Sequence, residues 1–277
     1  REESMEQARD LALSHSRELA SVVQLEFERA LDVARSLAYF LEGLGASSNL
    51  DRGLVNEVLA QTLRRNPHFF GIWTCWEPNA FDGRDRDFAG MTGHDGTGRF
   101  IPYWHRDGEK IVLEPLAGYD VPGDGDYYLK AMERGRETIL EPYGYAVGSR
   151  SMKMTTLTVP VEVQGKRVGA VGVDIALDSI QEMTAMMKLY ETGFGRLLTH
   201  KGIVASQPNR DRIGEMAGET QGSEGDEVLR RIARGESWFE EAWSPVLKQT
   251  VYKGFAPVEV GDTGTPWNFS TVIPKKE

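Results

Sequence analysis

Aromatic side chains are dense between residues 69 and 145, and eight of them are Tyr or Trp candidates for a pocket: Trp73, Trp76, Tyr103, Trp104, Tyr127, Tyr128, Tyr143 and Tyr145. One aspartate, Asp174, lies near the end of the apolar run Val168 to Ile175. Tyr and Trp combine an apolar ring face with a polar tip, which suits a pocket that must both fit and orient a solute. Ring faces attract cations and a carboxylate adds Coulomb attraction, so this set is suited to an ammonium or quaternary ammonium group. An unpaired carboxylate inside an apolar run is costly to bury. The competing reading of Asp174 is an exposed strand end or a cap for the next helix. Arg106 and Arg150 are candidates for gripping a ligand carboxylate, because guanidinium forks onto carboxylates bidentately. Thr155, with Ser151 and Thr156 beside it, is a candidate hydrogen-bond donor. Geometry limits the set. Tyr103 and Trp104 point to opposite faces of a strand, and Tyr127 and Tyr128 lie about 100° apart on a helix, so about half of the eight rings belong to core.

Sets that would transform a bound molecule are missing from the sequence. His15, His68, His94, His105 and His200 are scattered, without metal-ligand spacing. There is no G-x-S-x-G elbow, phosphate-binding loop or dinucleotide fingerprint, and Gly193-Phe-Gly195 reads as a turn. The acidic stretches 82–87 and 120–126 do not match a twelve-residue calcium loop. The expectation is a binding module that is not an enzyme and uses neither metal nor cofactor. The competing classes are a hydrolase built on Asp174 and Glu141, and a structural module whose cup stays empty. Cys75, the single cysteine, reads as a small buried apolar residue and excludes an internal disulfide. The net charge, 32 − 42 = −10 over 277 residues, argues against nucleic acid and against attachment to anionic lipid. No run of 18 or more apolar residues occurs. The chain starts and stops mid-pattern, so it reads as a piece of a longer protein.

The elements that must position these residues follow from periodicity. Residues 1–41 carry apolar positions at three-to-four spacing, a helix about 60 Å long that exceeds one small domain and ends at Gly43 and Gly45. A second helix runs from Asp51, its N-cap, to Arg65. Strands are expected at 69–76, at 100–105 and 111–114 around an Asp107-Gly108 turn, and at 139–145, 154–163 and 168–175. The stretch 78–98 is expected to be loop, and 126–135 and 178–189 to be helices, the latter capped by Asp178. A smaller unit then repeats the order: strands at 195–199 and 203–206, a helix at 226–235, and strands at 238–243, 251–260 and 267–273. The class is α+β with mainly antiparallel sheets. The boundaries are 1–41 for the spine helix, 42–189 for the ligand-binding module and 190–277 for the smaller one.

In order along the chain, GIW at 71–73, GRFIPYW ending at 104, DYYLKA at 126–131, EPYGY at 141–145, MTTLTVPV at 154–161, GAVGVDIAL at 169–177 and TGFGRLLTHKGIVASQP at 192–208 resemble the double Cache sensor domains of bacterial transmembrane receptors. That resemblance implies two PAS-like α/β modules hung on one long N-terminal helix, with membrane spans before Arg1 and after Glu277. It implies an inner-membrane receptor with this domain periplasmic or extracellular and a small ligand in the membrane-distal module; the polar first turns of the N-terminal helix, too long for one module to cover, point to a homodimer through that helix in the full receptor. The resemblance places Asp174 where the family binds a ligand amine, and Tyr103, Trp104, Tyr127, Tyr128 and Tyr143 in pocket-lining segments. One departure stands out. Amino-acid receptors of the family usually carry an arginine two residues before a Trp-Tyr pair; here the pair is Tyr127-Tyr128 and Gly125 takes the arginine's place. An amine, a quaternary ammonium compound or another small metabolite becomes the better expectation, with Arg106 as a substitute grip on an amino-acid-like solute. The alternatives are a sensor for a small carboxylate and a non-binding structural module.

Overall fold

The computed structural model describes residues 2–185 and 193–275. The described residues form two compact units. One contains Glu28–Ala176 and Gly261–Thr263; the other contains the chain up to Phe27, Leu177 to Val260, and the chain from Gly264 onward.

The first helix, α1 (Glu2–Ser47), contributes to both units. Its stripe Ala12, Ser16, Leu19, Val23 and Phe27 is buried in one, and Ala30, Ala34, Ala38 and Leu41 in the other. The spacing is that of one helix face. α1 runs past the expected stop, with Gly43 and Gly45 inside it. Glycine costs a helix about 1 kcal/mol relative to alanine, but packing decides here. A Cβ at Gly45 would stand 2.9 Å from Val163 Cγ2, so a close approach needs the bare backbone.

The larger unit continues with α2 (Arg52–Arg65), capped by Asp51, whose side chain accepts from the Leu54 N–H. Then come β1 (Gly71–Trp76), a short α3 (Asp85–Phe88) inside the expected loop, β2 (Pro102–Asp107), β3 (Lys110–Pro115) and α4 (Asp126–Arg134). β4 (Thr138–Ile139), β5 (Tyr143–Val147), β6 (Arg150–Val163) and β7 (Lys166–Ala176) complete it. The single strand expected at 139–145 is broken into β4 and β5. Pro142, which has no N–H to give a ladder, lies at the break. All pairings are antiparallel, in the order β3-β2-β1-β7-β6-β4, with β5 also on β6.

The second unit contains α5 (Leu177–Ala185), β8 (Phe194–Leu198), β9 (Val204–Ser206), α6 (Gly222–Ala233), β10 (Trp238–Ser244), β11 (Gln249–Val258) and β12 (Trp267–Pro274). Asp178 sits inside the first turn of α5 and not at its cap. The expected continuation of that helix to Leu189 lies outside the described residues. The sheet order is β10-β11-β12-β8-β9. Read from β9, it repeats the path β2-β1-β7-β6-β5 of the larger sheet, and α6 follows β9 as α4 follows β3. The fold is therefore the expected mixture of helix and antiparallel sheet, built twice.

Arg52 fixes the loop after β1. Its guanidinium forks onto Asp82 (2.8 and 2.8 Å), donates to Asp85 (2.8 Å) and to the Gly98 carbonyl (2.7 Å), and lies 4.1 Å above the Phe88 ring. Burial alone would raise the Asp82 pKa, but the hydrogen bonds from Arg52 hold it below the usual value. Removing Arg52 would strand two buried carboxylates, a loss of the kind that costs about 3–5 kcal/mol. Arg52→Ala is therefore expected to lower unfolding free energy by that amount in a urea titration. Because the folded pKa of Asp82 is depressed, its contribution is present above the unfolded value of about 3.9 and is lost as pH falls through the folded value. The gap between wild type and variant should accordingly narrow in acid.

Candidate functional site

The register of the larger sheet brings the candidate residues together. Gly71 on β1 faces His105 on β2 and Asp174 on β7, and Asp174 faces Thr156 on β6. One row along, Trp73 faces Tyr103 and Gly172. Facing residues in antiparallel strands project to the same side, so Trp73, Tyr103, Asp174 and Thr156 share one face of the sheet. α4 covers that face: Thr158, on the same side as Thr156, donates to the Tyr127 carbonyl at 2.7 Å. β5 brings Tyr143 and Tyr145 to its rim.

Two glycines make room for the rings. A Cβ at Gly172 would lie 2.1 Å from the Trp73 indole, and one at Gly71 would lie 2.6 Å from the Tyr103 ring. With both bare, the two rings lie flat across the neighbouring strands. Tyr127 meets Trp73 edge-on at 5.3 Å and Tyr145 edge-on at 5.9 Å, and it stacks with Tyr143 at 6.3 Å. Tyr103 meets Tyr145 edge-on at 5.3 Å. Such geometries suit the ring quadrupoles.

Asp174 lies within this cluster, 2% exposed. Its Oδ1 accepts from Thr156 Oγ1 at 2.7 Å and from Trp73 Nε1 at 3.3 Å. With the Thr156 hydrogen committed to Asp174, Tyr143 donates to Thr156 at 2.5 Å. The Tyr103 hydroxyl is close enough to interact with the carboxylate, but it makes no well-aligned hydrogen bond. Burial pushes the Asp174 pKa up, and the nearby Tyr103 hydroxyl with the hydrogen bonds from Thr156 and Trp73 only partly opposes it. Burial likewise raises Tyr103, Tyr127 and Tyr143, and pushes Tyr145 to about 12, so the phenols remain neutral donors. A carboxylate accepts about four hydrogen bonds when ionised. Asp174 therefore keeps acceptor capacity for a guest that brings its own positive charge. The segment after β3 closes over the rings: Tyr127 donates to the Ala117 carbonyl (2.7 Å), and the Ala117 N–H donates to the Tyr145 hydroxyl (2.8 Å).

The other candidate residues lie elsewhere. Trp76 is on the opposite face of β1, bonded to Thr74 and edge-on to Phe81. Trp104, opposite in direction to Tyr103, donates to Asn56 of α2 at 2.9 Å. Arg106 is spent on backbone carbonyls of Leu63, Asn66 and Phe69, closing the C-terminal end of α2, and so supplies no carboxylate grip. Thr155 points away from Asp174 and donates to the Leu140 carbonyl; its neighbour Thr156 takes the inward place. Tyr128 is buried near Cys75 and donates to Glu77, beside the cluster and not against Asp174. Arg150 pairs with Asp107 at the surface. His105, which sequence spacing leaves isolated, is buried in the Asp174 row and pairs with Glu114 at 3.0 Å. Alternation along β2, continued two residues from Tyr103, was the one signal that pointed to it.

Two sheets of one topology, strung with a long helix and carrying a helix-covered ring cluster on one of them, define a sensor domain of the double Cache class. Residues 55–182 match a family model described as the first PDC sensor domain of methyl-accepting chemotaxis protein-like proteins. The methyl-accepting chemotaxis protein TlpQ of Pseudomonas aeruginosa is 28% identical over 232 residues, covering 77% of this chain and 31% of TlpQ. This chain thus spans less than a third of that relative. The extracellular domain of mmHK1S-Z3, described as a candidate histidine kinase, superposes with a TM-score of 0.86 at 28% identity, covering 100% of this chain and 96% of that one. The ligand-binding domain of the P. aeruginosa amino-acid chemoreceptor PctC, solved with GABA, shares the fold at a TM-score of 0.61 and 16% identity over 92% and 94% of the two chains. Over residues 55–182 the chain matches this sensor-domain family model, and over its whole length it shares the fold of the extracellular sensor domain of a histidine-kinase-type receptor.

The Gly172 contact is a strict test of the ring geometry. Gly172→Ala should displace the Trp73 indole and cost about 3 kcal/mol, the upper part of the overpacking range. Chemical denaturation would give the loss, and the tryptophan emission of the folded state should shift with it.

Proposed function

We propose that this chain is the ligand-binding part of a transmembrane signalling receptor of the chemotaxis type, exposed outside the inner membrane. It binds a small cationic solute, an amine or quaternary ammonium compound, against Asp174 and releases it unchanged. The observation that carries this reading is the buried Asp174 carboxylate, ringed by Trp73, Tyr103, Tyr127, Tyr143 and Tyr145 and lacking a cationic partner among its described hydrogen bonds and ion pairs. A guest ammonium supplies the missing charge, and the ring faces supply cation–π attraction. Entry is at the rim, where Tyr143 and Tyr145 are half-buried and the tether to Ala117 opens.

The signal leaves through α4. Three residues after that helix, Glu137 accepts a fork from Arg35 of α1 at 2.7 and 2.6 Å, so a shift of Tyr127 is passed to the long helix. A homodimer through α1 fits its exposed Leu11, Leu25 and Tyr39, which recur at two-heptad steps.

The test is a thermal-shift and calorimetric screen of alkylamines and quaternary ammonium compounds, with matched alcohols and carboxylates as controls. Asp174→Asn should weaken binding of the cationic hit by about 2–5 kcal/mol, the cost of removing one member of a buried charge pair. An unchanged hit, or one shared by the alcohols, would refute the assignment. The pH dependence has a definite sign. The guest binds the ionised carboxylate, whose pKa is raised by burial. Affinity should therefore be flat above that pKa and fall about tenfold per pH unit below it, as one proton must leave for each guest bound. Asp174→Asn should remove this dependence.

A further inference from the structure

We propose that the five-stranded unit holds a second ligand site, of opposite sign, in which Arg196 and Lys253 receive the carboxylate of a small organic acid. The site lies on the sheet face covered by α6. In register, Glu240 on β10 faces Lys253 on β11, which faces Val272 on β12; one row along, Trp238 faces Phe255, which faces Ser270, which faces Arg196 on β8. These side chains therefore point to one side. Trp238, Glu240, Lys253, Arg196, Glu219 and Arg231 line a cavity of about 650 Å³ there, within the size range of sites for small molecules.

The floor of the cavity is aromatic and its wall is charged. Trp238 stacks on Phe255 at 4.1 Å, and the Arg231 guanidinium lies 5.7 Å from the Trp238 ring. Arg196 is 7% exposed. Its terminal nitrogens contact Glu219 and the Ser270 hydroxyl, while Lys253 Nζ is 3.9 Å from Glu219. Two donors are left over. Neither Arg196 Nε nor Trp238 Nε1 has a hydrogen-bond partner among the described residues, although both are buried. A buried donor without an acceptor costs about 1–3 kcal/mol, so a guest that brings acceptors is favoured.

Glu219 indicates what kind of guest fits. It stands on the short helical turn Gly218–Thr220, off the sheet, and reaches in between the two cations. Arg196 and Lys253 hold it ionised, at about 2, against the opposing effect of burial. It is a carboxylate of this chain seated in a cradle that also fits a diffusible one. Glu224, Glu227, Glu240 and Glu241 also line the cavity, so the proposal is confined to the seat that Glu219 occupies between Arg196 and Lys253, where the first site instead offers a negative group to a cation.

The experiment uses the whole chain and the probes acetate, L-lactate and succinate, each compared with its neutral amide at equal ionic strength. At least one acid should raise Tm and give a calorimetric isotherm, its amide should not, and binding should persist in Asp174→Ala. Lys253→Met should weaken the acid at least tenfold. Glu219→Gln keeps the shape but removes the internal competitor. It should bind the acid at least tenfold more tightly than wild type, and recover on acid addition any Tm it loses. The proposal fails if no acid binds wild type or Glu219→Gln at 10 mM, if amides bind equally, or if binding disappears with Asp174. These outcomes are separate from those for the cation site, which is read with amines and the Asp174 variants.

Discussion

Taking an ionised carboxylate out of water costs several kcal/mol even after the protein relaxes, and Asp174 is almost wholly out of water. That cost organises the larger unit. The Thr156 hydroxyl and the Trp73 indole N–H are aimed at one oxygen of the carboxylate, and a second hydroxyl, from Tyr143, backs up the first. The donors are neutral, so they lower the cost without neutralising the charge. Gly71 and Gly172 are bare because the two rings nearest the carboxylate must lie flat on the strands beside it. On the proposed function, a guest of positive charge does what these donors cannot, and its binding energy is in part the relief of an unpaired buried group.

The same connectivity serves a different chemistry in the second unit. A helix-covered antiparallel sheet offers rows of inward residues, and each row can be changed without altering the backbone path. In the larger sheet the rows carry Trp73, Tyr103, Thr156 and Asp174. In the smaller one they carry Trp238, Glu240, Lys253 and Arg196. No 20–50-residue sequence repeat betrays the kinship, because what is repeated is strand order and helix placement.

Much of this fold was legible in the sequence. The stripe of α1, the cap at Asp51, the turn at Asp107-Gly108, and the alternation of β and α segments rest on local physics, and local physics decided them. The glycine signal at 43 and 45 failed because packing against Val163 outweighed propensity. The site was legible as a set of residue types and less so as an arrangement. Trp73 and Trp76 are both large and buried, yet three positions in a strand put them on opposite faces. Thr155 and Thr156 differ by one step, and only the pairing of β6 with β7 decides which of them meets Asp174. Arg106 reads as a free guanidinium until the end of α2, more than forty residues away in one of its bonds, supplies three carbonyls. Such pairings are long-range, and composition does not encode them.

A receptor needs two states that its guest distinguishes, and a ligand shifts the balance only by its difference in affinity for them. On the proposed function, the ring cluster provides such a pair, of which the structure holds the closed member. In the closed arrangement Tyr127 and Tyr145 are tied to one peptide unit at Ala117, and the rings fill the space around Asp174 with their own edges. A guest that takes the carboxylate must share that space, so the two tyrosines cannot keep both their ring contacts and their tether. Tyr127 is carried by α4, and α4 is followed directly by Glu137 and its fork to Arg35. Glu137 also accepts from the Asp262 N–H, and burial, which would raise its pKa, is overridden by Arg35. That ion pair is short and bidentate, which makes it a stiff link. On the proposed function, a small change in the angle of α4 is then delivered to α1 rather than dissipated in a loose side chain.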